Sequence, residues 1–157
     1  MAYTEVMQKR IYTDFNTLRR AHQLMAVQMD TQLFLTLATN RSMSLAFMKH
    51  KTHAFLARMA EHMLGRNWSK KPMTQRMDGL LYVEHEHSNI HVHGLMTKPY
   101  CNLVGLQLKA DETWADLCES GSVVIKDIGD VEKRSEYVTK EAGIYGFFER
   151  QFFMAAA

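Results

Sequence analysis

The chain is short of the residues that staple, kink or anchor a protein. Two cysteines in 157 residues, Cys101 and Cys118, are too few for a disulfide framework, and without a secretion signal they fit a reducing compartment. Pro72 and Pro99 are the only prolines, and no proline-rich linker, internal repeat or low-complexity tract divides the chain. No apolar run reaches membrane-spanning length, and Met1 to Arg10 lacks the apolar core of a signal peptide. Charge is nearly balanced at +2, so the total says little about partners. What is present, 46% hydrophobic and 23% charged residues, describes one ordinary globular domain over residues 1–157. Its 12 methionines are scattered and read as adaptable core packing.

Periodicity organises the chain. Residues 4–29 read as an N-terminal helix with Val6, Ile11, Phe15, Leu18, Met25 and Met29 at roughly helical spacing. The run Leu33 to Ala38 is short and apolar, which predicts a strand buried on both faces. Helical spacing returns from Ser44 to Leu64, with Ser42 or Ser44 as the cap and Gly65 as the stop. Leu80 to His85 and Ile90 to Met96 read as strands joined by a turn at residues 86–89. A helix over 109–119, a strand over 123–128 and a final helix over 131–151 complete the order, with Gly143 and Gly146 weakening the last helix. The core, about residues 31–150, thus reads as an α+β, ferredoxin-like (RRM-like) βαββαβ unit. It has a central antiparallel sheet, flanking helices and a C-terminal helix. Such a fold does not by itself decide function.

Chemistry concentrates in the hairpin. Four of the eight histidines fall between His85 and His93. Side chains alternate along a strand, so His91 and His93 share a face roughly 7 Å apart, close enough to converge on one ion. A third ligand must come from the neighbouring strand, and Glu84 lies across the turn. A set of two imidazoles and one carboxylate suits Mn²⁺ or Mg²⁺, where it would polarise a phosphate. A histidine on a strand is as often a plain exposed residue, and His85 and His87 read as turn residues near the site, though either could substitute as a ligand. His22, His50, His53 and His62 read as surface or partly packed helix residues. Tyr137 and Lys140, three apart on the final helix, share a face. The pair is either a nucleophile with a cation that favours its phenolate or a packed ring with a snorkelling lysine.

Together these segments resemble the HUH endonucleases, and within them the single-tyrosine rolling-circle replication initiators (Rep proteins). Phe34-Leu35-Thr36-Leu37 is similar to their first motif, Ile90-His91-Val92-His93-Gly94-Leu95-Met96 to the second, and Tyr137-Val138-Thr139-Lys140 to the third. The resemblance implies metal ligation by His91, His93 and Glu84 with Mn²⁺ or Mg²⁺. It implies attack by Tyr137 on single-stranded DNA at an origin hairpin or similar sequence, and a 5′-phosphotyrosyl intermediate assisted by Lys140. It further implies a host helicase and polymerase as partners, since no Walker motif is present, unless the chain is the nicking domain of a larger protein. The expected compartment is the prokaryotic cytoplasm, or the nucleus for a eukaryotic virus, with no membrane association. Thr36 is not expected to be catalytic.

Arg66, Lys70, Lys71 and Arg76 with Trp68 form the best candidate DNA-binding loop, and Lys9-Arg10 and Arg19-Arg20 are second candidates. One competing reading is a single-tyrosine transposase, although that group tends to carry glutamine where Glu141 stands. Relaxases place their tyrosine near the N-terminus. A third reading, an RNA-binding RRM-like module without catalysis, needs exposed aromatics on the central strands.

Overall fold

The computed structural model describes residues 2–99, 101–144 and 146–155, with side chains described from Phe15 onward. Its elements are helix α1 (Ala2–Gln28), strand β1 (Leu33–Ala38), helix α2 (Leu45–Leu64), β2 (Gly79–Glu84), β3 (His91–Met96), α3 (Leu103–Leu117), β4 (Ser122–Asp127), α4 (Val131–Val138), a short α5 (Phe147–Arg150) and β5 (Phe152–Met154). The five strands lie in the order β4-β1-β3-β2-β5, every neighbouring pair antiparallel. The first four strands are the expected βαββαβ unit: β1 and β2 run parallel, and β3 is inserted between them.

Alternation along the strands sorts two cores. Leu33, Leu35, Leu37, Leu81, Val83, Val92, Val123 and Ile125 point to one face, where Met48, Phe55 and Met59 of α2 and Leu106, Ala110 and Trp114 of α3 cover them. Gly94 also faces this side, and a Cβ there would stand 3.0 Å from Leu81 Cδ2 and 3.2 Å from Leu35 Cβ. The opposite face carries Phe34, Leu80, Tyr82 and Leu95, packed by Ala26 of α1, Val138 of α4, Ala142 and Phe147. Helices therefore cover both faces, but unevenly. On β4 of this second face Ser122, Val124 and Lys126 remain exposed.

Several boundaries differ from the sequence expectation for identifiable reasons. α3 begins at Leu103, not 109, because the Asn102 side chain accepts from Gly105 N at 2.6 Å and caps the helix. Exposed Val104 and Leu108 hide its periodicity. The helix expected over 131–151 ends at Val138, where the Thr139 hydroxyl donates to the Ser135 carbonyl. Turns follow, and Gly146 adopts φ +75° before α5. Phe152 to Met154 are then a strand pairing with Leu80 to Tyr82. Strand β2 stops at Glu84, since His85 turns to φ +54°. α2 is as expected, with Ser44 accepting from Phe47 N at 3.1 Å and Gly65 closing it. Cys101 and Cys118 are free. Among the described residues no helix is long and apolar enough to cross a membrane.

Candidate active site

The site grows from strand pairing. Glu84 on β2 stands directly opposite His91 on β3, and His93 lies between Tyr82 of β2 and Thr36 of β1. All of these share one face of the sheet, the face on which α4 lies. His91 Nε2 is 3.2 Å from Glu84 Oε2, and His93 Nε2 is 3.4 Å from the same oxygen. The opposite nitrogens are engaged elsewhere. His91 Nδ1 is 3.0 Å from the Asn89 carbonyl, which can only accept, so Nδ1 carries the proton. His93 Nδ1 is 3.0 Å from the Thr36 hydroxyl. Both rings thus turn Nε2 toward the carboxylate, and each is held from behind by an outer partner, the arrangement that orients histidine ligands on metals.

The Glu84 carboxylate is fully buried at 0% exposure. Burial pushes its pKa up, but the close contacts with His91, His93 and Lys140 outweigh that and hold it well below the usual carboxylate range. It is therefore an anion inside the protein. Contact with this anion raises the pKa of His91, while burial lowers that of His93. Glu84 Oε1 and His93 Nε2 are buried with no hydrogen-bond partner. A buried anion with one unpartnered oxygen, beside an unpartnered imidazole nitrogen, fits a divalent cation. The donor set of one carboxylate and two imidazoles also fits such an ion chemically. Among the described residues, ligand atoms of Glu84, His85 and His91 lie within 4.8 Å of one another, a grouping that does not take in His93. His93 Nε2 approaches the same Glu84 oxygen at 3.4 Å. The sequence reading treated His85 mainly as a turn residue.

Tyr137 lies over this cluster. Its ring centroid is 5.3 Å from that of His93 and 6.2 Å from that of Phe34, and it is 43% exposed. Lys140 follows in the turn after α4, where its N–H donates to the Tyr137 carbonyl at 3.2 Å. Lys140 Nζ donates to Glu84 Oε2 at 2.9 Å and sits 4.0 Å from the Tyr137 ring centroid. Burial alone would lower the Lys140 pKa, but contact with Glu84 and Tyr137 raises it. Arg19 from α1 anchors this corner, donating to Thr139 Oγ1 at 3.1 Å and to the Glu136 carbonyl at 3.2 Å. One of the second-rank DNA candidates is thereby a tether of α4.

The basic loop is elsewhere. Arg66, Trp68, Lys70, Lys71 and Arg76 precede β2 at its Gly79 end, about 16 Å of strand away from Glu84. Arg76 lies over the half-buried Trp68 ring at 5.8 Å, and Trp68 and Arg76 lie beside His53, Leu56 and Ala60 on the α2 side of the sheet. The structure does not bring this loop to the candidate site. The side chains of Lys9, Arg10, Val6 and Ile11 lie outside the described residues. Two cations over Phe34, the ring next to Tyr137, are ones that sequence patterning missed. Lys126 on β4 and Arg134 on α4 lie over the Phe34 ring at 5.6 and 4.7 Å. Phe34 itself is only 3% exposed, so the central strands present no open aromatic platform for an RRM-like mode. His22, expected at most partly packed, is buried and stands 2.9 Å from the Tyr82 hydroxyl.

Comparison of the chain with family models, with curated proteins and with solved structures returns no match.

Proposed function

We propose that the chain is a metal-dependent enzyme that nicks and rejoins single-stranded DNA through a tyrosyl-phosphate, as a rolling-circle replication initiator does. One observation carries the reading. An exposed tyrosine, a lysine and a His–Glu–His cluster around a buried carboxylate, drawn from β2, β3, α4 and the turn after α4, meet on the partly uncovered face of the sheet.

In this reading Glu84, His91 and His93 hold Mn²⁺ or Mg²⁺, which supplies charge to polarise a phosphate oxygen. The Tyr137 oxygen attacks phosphorus and the bond to the 3′ oxygen breaks. The 5′ phosphate stays on the tyrosine, and the 3′ oxygen leaves as a hydroxyl after taking up a proton. The covalent bond stores the energy for rejoining, so no nucleotide cofactor is needed. Lys140, with Nζ 4.0 Å from the Tyr137 ring centroid, lies where it can neutralise charge on the phosphorane. Lys126 and Arg134, beside exposed Val124 and Ser122, offer the DNA backbone a basic track leading to the tyrosine. A helicase and a polymerase would act on the opened strand, in the bacterial cytoplasm or in the nucleus of a virus-infected cell.

The test is incubation with a diverse pool of labelled single-stranded oligonucleotides and Mn²⁺. A denaturation-resistant adduct is expected, absent with EDTA and in Tyr137→Phe. No adduct on any sequence in the pool refutes the reading.

A further inference from the structure

His85 stands beside two of the three expected metal ligands, Glu84 and His91, and its backbone is what puts it there. Continued extension of β2 would send His85 to the face opposite Glu84. Instead it adopts φ +54°, a left-handed conformation that few residues other than glycine take, asparagine, aspartate and histidine being the commonest of them. The result is that ligand atoms of His85, Glu84 and His91 lie within 4.8 Å of one another. The His85 and His91 ring centroids are 4.9 Å apart. Glu141 Oε1 is 3.8 Å from His85 Nδ1, beyond hydrogen-bond reach but within ion-pair range, so its charge can still bias the ring. The fully buried Glu84 keeps one oxygen with no hydrogen-bond partner at this point.

We propose that His85 is a fourth metal ligand, and that it makes the site selective for first-row transition ions over magnesium. The inference rests on the metal-dependent reading above and adds a ligand to it. Its chemical basis is simple. Mg²⁺ takes oxygen ligands and sheds water reluctantly, whereas each added imidazole strengthens binding of Mn²⁺, Co²⁺ or Zn²⁺. Three imidazoles and one carboxylate form a transition-ion set. The left-handed turn at His85 is then a conformation kept for ligation, and Glu141 is its positioning residue.

The experiment is calorimetric titration of the full chain with Mn²⁺, Co²⁺ and Mg²⁺ separately. Two variants are compared with the parent: His85→Gly, which suits the left-handed backbone and removes every ligand atom, and His85→Asn, which also tolerates it. Circular dichroism confirms folding of each. The expected result is Mn²⁺ and Co²⁺ affinity lowered at least ~10-fold in His85→Gly, with Mg²⁺ affinity changed less than about twofold. Glu141→Gln should give a smaller loss in the same direction. Equal Mn²⁺ affinity in parent and both folded variants overturns the role of His85 while leaving the three-ligand site standing. Absence of Mn²⁺ binding in the parent overturns the metal reading itself.

Discussion

Replacing Thr36 by valine removes one hydroxyl and nothing else of consequence to shape. Thr36 lies opposite His93 in the β1–β3 ladder, with its oxygen 3.0 Å from His93 Nδ1. In the tautomer that donates Nδ1–H to the Thr36 oxygen, the Nε2 lone pair is free for a metal on the side where Glu84 Oε2 lies 3.4 Å away. Valine is β-branched and suits a strand, so the fold should lose only about 1 kcal/mol, the net worth of one hydrogen bond. The metal should feel the change more. Deleting an outer-shell partner of a ligating histidine costs roughly 10–100-fold in metal affinity, about 1.4–2.7 kcal/mol. Mn²⁺ calorimetry and urea unfolding of Thr36→Val at one pH read the two effects separately. Affinity within about twofold of the parent would refute the claim that Thr36 orients a ligand. So would an unfolding free energy reduced as much as the binding free energy.

Three further outcomes follow from named contacts. Lys140→Ala removes a cation 2.9 Å from Glu84, so Mn²⁺ should bind roughly 3–10-fold tighter while adduct formation slows about 100-fold, read by calorimetry and gel time course. Lys126→Ala with Arg134→Ala should weaken single-strand binding about tenfold and flatten its salt slope by about 0.7 per lost phosphate contact; Lys70→Ala with Lys71→Ala should do less, as fluorescence anisotropy can measure. Burial pulls the His22 pKa down to about 4, so between about 6.5 and 4 the unfolded chain binds the extra proton. Stability therefore falls as pH drops through that window, by up to about 3 kcal/mol, and His22→Phe should flatten the slope in urea unfolding at pH 7 and pH 5.

The face-sharing of His91 and His93 and the cross-strand position of Glu84 follow from the period of two alone, and they were legible. So were β1, β2, β3 and the βαββαβ order, because apolar runs bounded by polar turns mark them plainly. The last 20 or so residues were not. Phe147, Phe148, Phe152 and Phe153 look alike to a helical pattern, and only pairing with Leu80 to Tyr82 makes Phe152 to Met154 a strand. The place of the basic loop was illegible for a similar reason. A loop's charge is local, but its distance from Glu84 depends on which end of β2 it joins. Lys126 and Arg134 come together only through β1, since both close over Phe34. The ligand geometry of His85 depends on one backbone angle that no side-chain pattern signals.

The central claim is that Tyr137 takes the phosphate. Adduct formed with Mn²⁺ and a cleavable oligonucleotide can be digested with nuclease and trypsin and read by mass spectrometry. Trypsin releases Ser135-Glu136-Tyr137-Val138-Thr139-Lys140 as one short peptide with a single tyrosine. The account predicts a phosphonucleotide on that peptide, at Tyr137. The same mass shift on a peptide containing Tyr82, or on a serine, would contradict it.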